Sequence, residues 1–145
     1  MAGVSLTKVA EIAGALPGVV VGARWNNRTW LVNEHGFVWD RGLSKADIAR
    51  YGSSPVPHGE IVAVIVDGLD AKDALLAMEL PGFFTIPHFN GYAAVLIELR
   101  LARLADVRRA IEDAHRIVAS RPPKKPKPKS KKAVKAKPRA GKKPA

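Results

Sequence analysis

The apolar positions divide this chain into a patterned body and an unpatterned end. Leu6, Val9, Ala10, Ala13 and Leu16 recur at steps of three and four, the spacing of one helix face. Ser5 or Thr7 can cap that helix, and Pro17-Gly18 ends it. Val19 to Val21 is β-branched and reads as a short extended segment. Asn26-Asn27 suits positive φ and predicts a turn. Thr29 to Val32 and Phe37 to Trp39 are strand-like, and Asn33-Glu34-His35-Gly36 reads as the hairpin loop between them.

Ser44-Lys45-Ala46-Asp47 is an acidic variant of the capping box and opens a short helix to about Tyr51, with Gly52 just past its end. Ser53 to Gly59 holds two prolines and is a loop. Ile61 to Val66 is five β-branched residues around Ala63, which predicts a central strand. Asp70 can cap a helix through Leu80, with Ala71, Ala74, Leu75 and Met78 inward and Lys72, Asp73 and Glu79 outward. Pro81-Gly82 stops it, and an aromatic loop from Phe83 leads into a buried strand, Ala93 to Ile97. Leu101, Leu104, Val107, Ile111, Ala114 and Val118 predict a long last helix, with Arg103, Arg108, Arg109, Glu112 and Arg116 mostly on its outer face. Mixed helices and strands with a hairpin give a two-layer α+β fold: an antiparallel sheet covered mainly on one face.

Charge changes this picture at one end only. From Arg121 onward there are 12 Lys/Arg and no acid, whereas the first 120 residues hold 12 Lys/Arg against 13 Asp/Glu. The net charge of +11 therefore belongs to the tail. We divide the chain into a domain, 1–120, and a Lys/Pro-rich tail, 121–145, expected to be disordered because it cannot bury enough surface to offset chain entropy. The chain has no cysteine, which excludes thiol catalysis and thiolate metal sites. No apolar run approaches the roughly 20 residues of a membrane span, and the N-terminus lacks the pattern of a signal peptide, so a cytoplasmic protein is expected.

The tail carries the clearest chemistry. Lys124, Lys125, Lys127, Lys129, Lys131, Lys132, Lys135, Lys137, Arg139, Lys142 and Lys143 can neutralise phosphates and release counterions, which predicts sequence-independent, salt-steep binding to DNA, with RNA or another polyanion as alternative. Such tails look like those of linker histones and of some actinobacterial nucleoid proteins. Arg24 and Arg28 flank Trp25 and are further nucleic-acid candidates; Trp30 and Trp39 are candidates for a cross-strand pair. A pocket of Trp25, Phe84, His88, Phe89 and Tyr92 is the alternative site, for a small ligand, a protein or an unpaired base, with ordinary core packing of the rings as the plain reading. His35, His58, His88 and His115 are scattered without metal-ligand spacing, the carboxylates form no recognisable catalytic pair, and no phosphate loop or nucleophile elbow is present. We expect no enzyme, no cofactor and no metal.

The run from Phe83 to Leu96, FFTIPHFNGYAAVL, closely resembles the "FFTTPHFDGYPAVLV" signature of the MmcQ/YjbR family. Leu16-Pro17-Gly18, Arg24-Trp25, Thr29-Trp30, Lys45-Ala46-Asp47 and the closing Glu112-Asp113-Ala114-His115-Arg116 resemble that family's other conserved pieces in the same order, over roughly residues 10–119. The resemblance implies a frataxin-like (CyaY-like) α+β domain described as a double-wing DNA-binding motif. Asn26-Asn27, His35-Gly36 in place of Gly-Lys in the hairpin, and Ala93 in place of Pro are departures. Frataxin-like proteins hold iron on an acidic first helix; with only Glu11 there, that role is not expected.

Overall fold

The computed structural model describes residues 3–24 and 27–122, with Arg24 described in its backbone only. In chain order these form α1 (Leu6–Gly14), β1 (Val20–Arg24), β2 (Asn27–Val32), β3 (His35–Asp40), α2 (Lys45–Ala49), β4 (Ile61–Ile65), α3 (Leu69–Ala77), β5 (Phe83–Phe84), a 3-10 turn (Pro87–Phe89), β6 (Ala94–Glu98) and α4 (Leu104–Ala119). All strand pairs are antiparallel, in the order β1-β2-β3-β4-β6-β5. The α+β architecture read from the sequence is the one observed. β4 lies between β3 and β6 and is buried along its whole length, as its β-branched run implies.

Local chemistry explains most boundaries. Ser5 caps α1 through Lys8 N–H, and Ser44 and Asp47 form a reciprocal capping box on α2. The β2–β3 connection is tighter than the expected four-residue loop. His35 and Gly36 belong to β3, and Asn33 and Glu34 alone turn the chain, with φ of 51° and 67°. The Phe83-Phe84 segment, read as loop, pairs with Leu96 and Ile97 as a two-residue edge strand.

The register sorts side chains between faces. Val38, Val64 and Val95 align across three strands, and Trp39, Ala63 and Leu96 align on the opposite face. Val107, Ile111, Ala114 and Val118 of α4 are buried in the core, and α4 packs on β3 and β4 with α1 beside it. At β3 the register slips between Trp30 and Leu31, leaving Phe37 as an extra residue. Strict alternation would send Phe37 and Trp39 to one side. The bulge separates them: Phe37 meets His115 of α4 edge-on at 5.4 Å, whereas Trp39 meets Tyr92. Trp30 sits opposite Val38 and so faces away from Trp39, which corrects the expected tryptophan pair.

The second face is not open over β4 and β6. Ile86 and Phe89 are buried, and the Glu98 carboxylate is buried while accepting from His58 N–H at 3.0 Å and Arg100 Nε at 2.7 Å. Loop segments cover the strands that the expected single helical layer would leave bare.

α3 departs most from its expected pattern. Its N-cap is Gly68, with Asp70 in the first turn; it ends at Ala77; Met78 is exposed, and Lys72 is 5 % exposed rather than outward-facing.

Candidate functional site

The site lies on the second face, where β3 ends and the loop after β5 returns. Register puts Trp39 on this face, opposite Thr29 and Ala63. Arg41 follows β3 and is fixed by its N–H donating to Ile61 O at 2.8 Å. Asn27 begins β2. The third contributor is the 87–92 loop. Pro87 suits the first position of the 3-10 turn, which closes through Phe89 N–H to Ile86 O and Asn90 N–H to Pro87 O. Gly91, at φ 76°, lets the chain turn back so that Tyr92 N–H reaches Phe89 O at 3.0 Å.

These pieces enclose a cavity of about 290 Å³ lined by Asn27, Trp39, Arg41, His88, Phe89 and Tyr92. Phe89 and Tyr92 meet edge to face at 5.4 Å, Trp39 and Tyr92 lie 6.3 Å apart, and His88 flanks Phe89 at 6.2 Å. The Arg41 guanidinium sits over the Phe89 ring at 5.6 Å.

Two buried charges hold this arrangement. Asp47 accepts from Arg41 at 3.2 Å and from Ser44 N–H at 3.0 Å, and it lies 3.6 Å from Arg50. Burial pushes the Asp47 carboxyl up, but the bonds from Ser44 and Arg41 outweigh it and leave it below the ordinary carboxylate value. Arg41 also donates to Gly42 O. The second charge is Lys72, whose Nζ donates to Phe89 O at 2.6 Å and Tyr92 O at 2.9 Å. Desolvation lowers its pKa, and Asp73 offsets part of that.

Of the sequence candidates, His88, Phe89 and Tyr92 line the cavity. Phe84 does not. It pairs with Leu96 on the far edge strand, half-buried against the core. Arg28 is on the other face, 6.0 Å from the Trp30 ring; burial, and then Glu60, hold the nearby Asp40 carboxyl above its ordinary value, and Arg28 offsets only part of that. Trp25, the Arg24 side chain and Lys124, Lys125, Lys127, Lys129, Lys131, Lys132, Lys135, Lys137, Arg139, Lys142 and Lys143 lie outside the described residues. Sequence reasoning missed Asn27, Arg41 and Lys72. Nothing in the local pattern marks Lys72, because its partners are carbonyls 17 and 20 residues away.

The other three histidines have structural bonds. His115 Nε2 donates to Pro17 O at 2.8 Å, His35 Nε2 donates to Pro122 O at 3.0 Å, and His58 Nδ1 lies 3.4 Å from Val56 O. A carbonyl can only accept, so the His115 and His35 bonds fix the proton on Nε2. His35 acts with Asn33, whose amide donates to Ala119 O and Arg121 O. The β2–β3 turn thereby closes the end of α4 and fixes where the tail begins.

A second cavity, about 390 Å³, lies between α3 and α4, with an apolar floor including Val64, Leu75 and Phe83, and a rim including Asp106, Arg109, Asp113 and Arg116. Among the described residues, no helix is long and apolar enough to cross a membrane, and no three His, Cys, Asp or Glu side chains gather to hold a metal.

No family model matches the chain, and no solved structure matches it at a significant level. Among curated proteins it is similar to uncharacterized proteins of Mycobacterium bovis and of two strains of Mycobacterium tuberculosis. Each is 39 % identical over 109 residues, spanning 73 % of this chain and 81 % of the relative. At that identity and coverage, the chain belongs to the family of these mycobacterial proteins.

Proposed function

We propose that this protein binds nucleic acid and catalyses no reaction, with the C-terminal tail supplying most of the affinity. The observation that carries this reading is the division of charge: 12 cations and no acid from Arg121 onward, against 12 cations and 13 acids before it. Neutralised phosphates release condensed counterions, so such a segment binds without regard to sequence and weakens steeply with salt. The resemblance to MmcQ/YjbR proteins points the same way. DNA in the cytoplasm, at the nucleoid, is the partner this composition fits best.

A second reading has its own support. The cavity formed by His88, Phe89 and Tyr92 with Trp39 and Arg41 makes the domain a ligand-binding module, with the tail serving only to localise it.

The test is a salt titration of duplex DNA binding by the full chain and by a chain ended after Pro122, which keeps the contacts of Asn33 and His35. Loss of tail cations should flatten the plot of log affinity against log salt by about 0.9 for each phosphate contact removed. An unchanged affinity and slope would refute the role of the tail.

A further inference from the structure

We propose that the cavity between Trp39 and Tyr92 takes one unpaired base of a single-stranded nucleic acid. This deepens the nucleic-acid reading and rests on it. The lining includes three aromatic residues, Trp39, Phe89 and Tyr92, a composition that favours a flat π-system over a branched aliphatic one. The volume, about 290 Å³, sits at the lower end of ligand pockets, which run from roughly 300 to 1,000 Å³, and so suits one ring system rather than a stacked pair.

The polar groups narrow the choice further. The cavity is lined by the Arg41 guanidinium and by no carboxylate, because Asp47 contacts Arg41 from outside the lining. That disfavours a cationic guest, which an aromatic cage would otherwise accept. Arg41 supplies donors, and the Asn27 amide supplies both a donor and an acceptor, the combination that reads the edge of a base. His88 is exposed at the rim, where its ring can donate to a phosphate.

The tail can act on the same strand. It leaves the domain at the His35 end of the β2–β3 hairpin, and the cavity lies at the Asn27 and Trp39 end. The six residues of β2 separate the two by roughly 17 Å. The 23 residues after Pro122 reach at most about 75 Å when fully extended, so one strand can engage both sites and gain from effective concentration.

The experiment uses the full chain and three probes: an oligodeoxyadenylate, an all-abasic strand of equal length, and adenosine monophosphate. The abasic strand keeps the phosphates and removes the bases. The native protein should bind the intact strand on the order of 5- to 150-fold more tightly than the abasic one, the equivalent of stacking one base. The double variant His88→Ala with Tyr92→Ala should lose that preference while keeping the salt slope. Both side chains are exposed, and the Tyr92 carbonyl used by Lys72 is retained, so the fold should persist, as a urea midpoint would verify. Equal binding of intact and abasic strands by the native protein overturns the base site and leaves the tail reading standing. No binding to either strand overturns both. Adenosine monophosphate bound as tightly as the intact strand reassigns the cavity to free nucleotides and overturns the proposal.

Discussion

Replacing Lys72 by Met tests whether one ammonium holds the loop that builds the cavity. Lys72 is 5 % exposed, and its Nζ bonds two loop carbonyls, at 2.6 and 2.9 Å. Hydrogen bonds to a charged group contribute roughly 1.5–3 kcal/mol each, so their gross loss is about 3–6 kcal/mol. Against this, burying an ammonium costs several kcal/mol, on the order of the same amount, which the variant recovers. Neither carbonyl becomes an orphan. Phe89 O still accepts from Tyr92 N–H at 3.0 Å, and Tyr92 O from Ala94 N–H at 2.8 Å. Global stability should therefore change by no more than about 2 kcal/mol, since large costs arise where a buried partner is left unsatisfied.

The loss should be local. The amides of Phe89, Asn90 and Tyr92 close the loop, and their hydrogen-exchange protection should fall well beyond the global change. pH gives a second readout. The folded pKa of Lys72 lies below its ordinary 10.5, so between the two values the unfolded chain binds the proton more strongly. The stability of the native protein relative to the Met variant should then rise with pH across that window. Urea unfolding of both proteins at several alkaline pH values measures it. Unchanged loop protection in the variant, or a relative stability that falls as pH rises, would refute the clamp.

Gly82→Ala should be severely destabilising, by roughly 3 kcal/mol or more, since Gly82 has φ 84° and an added Cβ would stand 2.5 Å from Glu98 O and 3.2 Å from Ala102 N. A urea midpoint equivalent to within about 0.5 kcal/mol of the native value would disprove that estimate. Asp47→Asn should cost about 1–3 kcal/mol at neutral pH and weaken ligand capture by releasing Arg41. The native Asp47 carboxyl titrates below its ordinary 3.8, so its contribution is present above that value and disappears as pH falls through the folded pKa. The difference between native and Asn variant should shrink on acidification, and a difference constant from pH 7 to 2 would contradict the assignment.

The parts of the fold legible in the sequence are those where one local pattern decides. β4 is β-branched and central, Ser44 and Asp47 cap α2, and the three- and four-residue steps of Val107, Ile111, Ala114 and Val118 give α4 its buried face. The failures share one cause: a distant partner overrides the local pattern. Lys72 looks solvent-facing by helical spacing, yet two carbonyls from another loop draw it inward. Met78 looks like core but lies beyond the last turn of α3 and is exposed. Phe83 and Phe84 look like loop and become an edge strand because β6 offers them an unpaired side.

The candidate site fell between these cases. The 83–92 stretch stands out by aromatic density, and three of its residues, His88, Phe89 and Tyr92, line the cavity. The density cannot reveal the opposite wall, because Trp39 is set on that face by pairing with Thr29 and Ala63, and Phe37, two residues before it, is sent to the helical face by the bulge. Without the extra residue, one of Phe37 and Trp39 would lose its partner: either His115 on the helical face or Tyr92 on the other. A single inserted residue thus lets β3 support the core packing of α4 and complete the aromatic cavity. Removing Phe37 would restore strict alternation along β3. Because Trp39 keeps its place opposite Thr29 and Ala63, that deletion should cost stability through the lost Phe37–His115 contact and spare strand binding, whereas His88→Ala with Tyr92→Ala should cost strand binding alone.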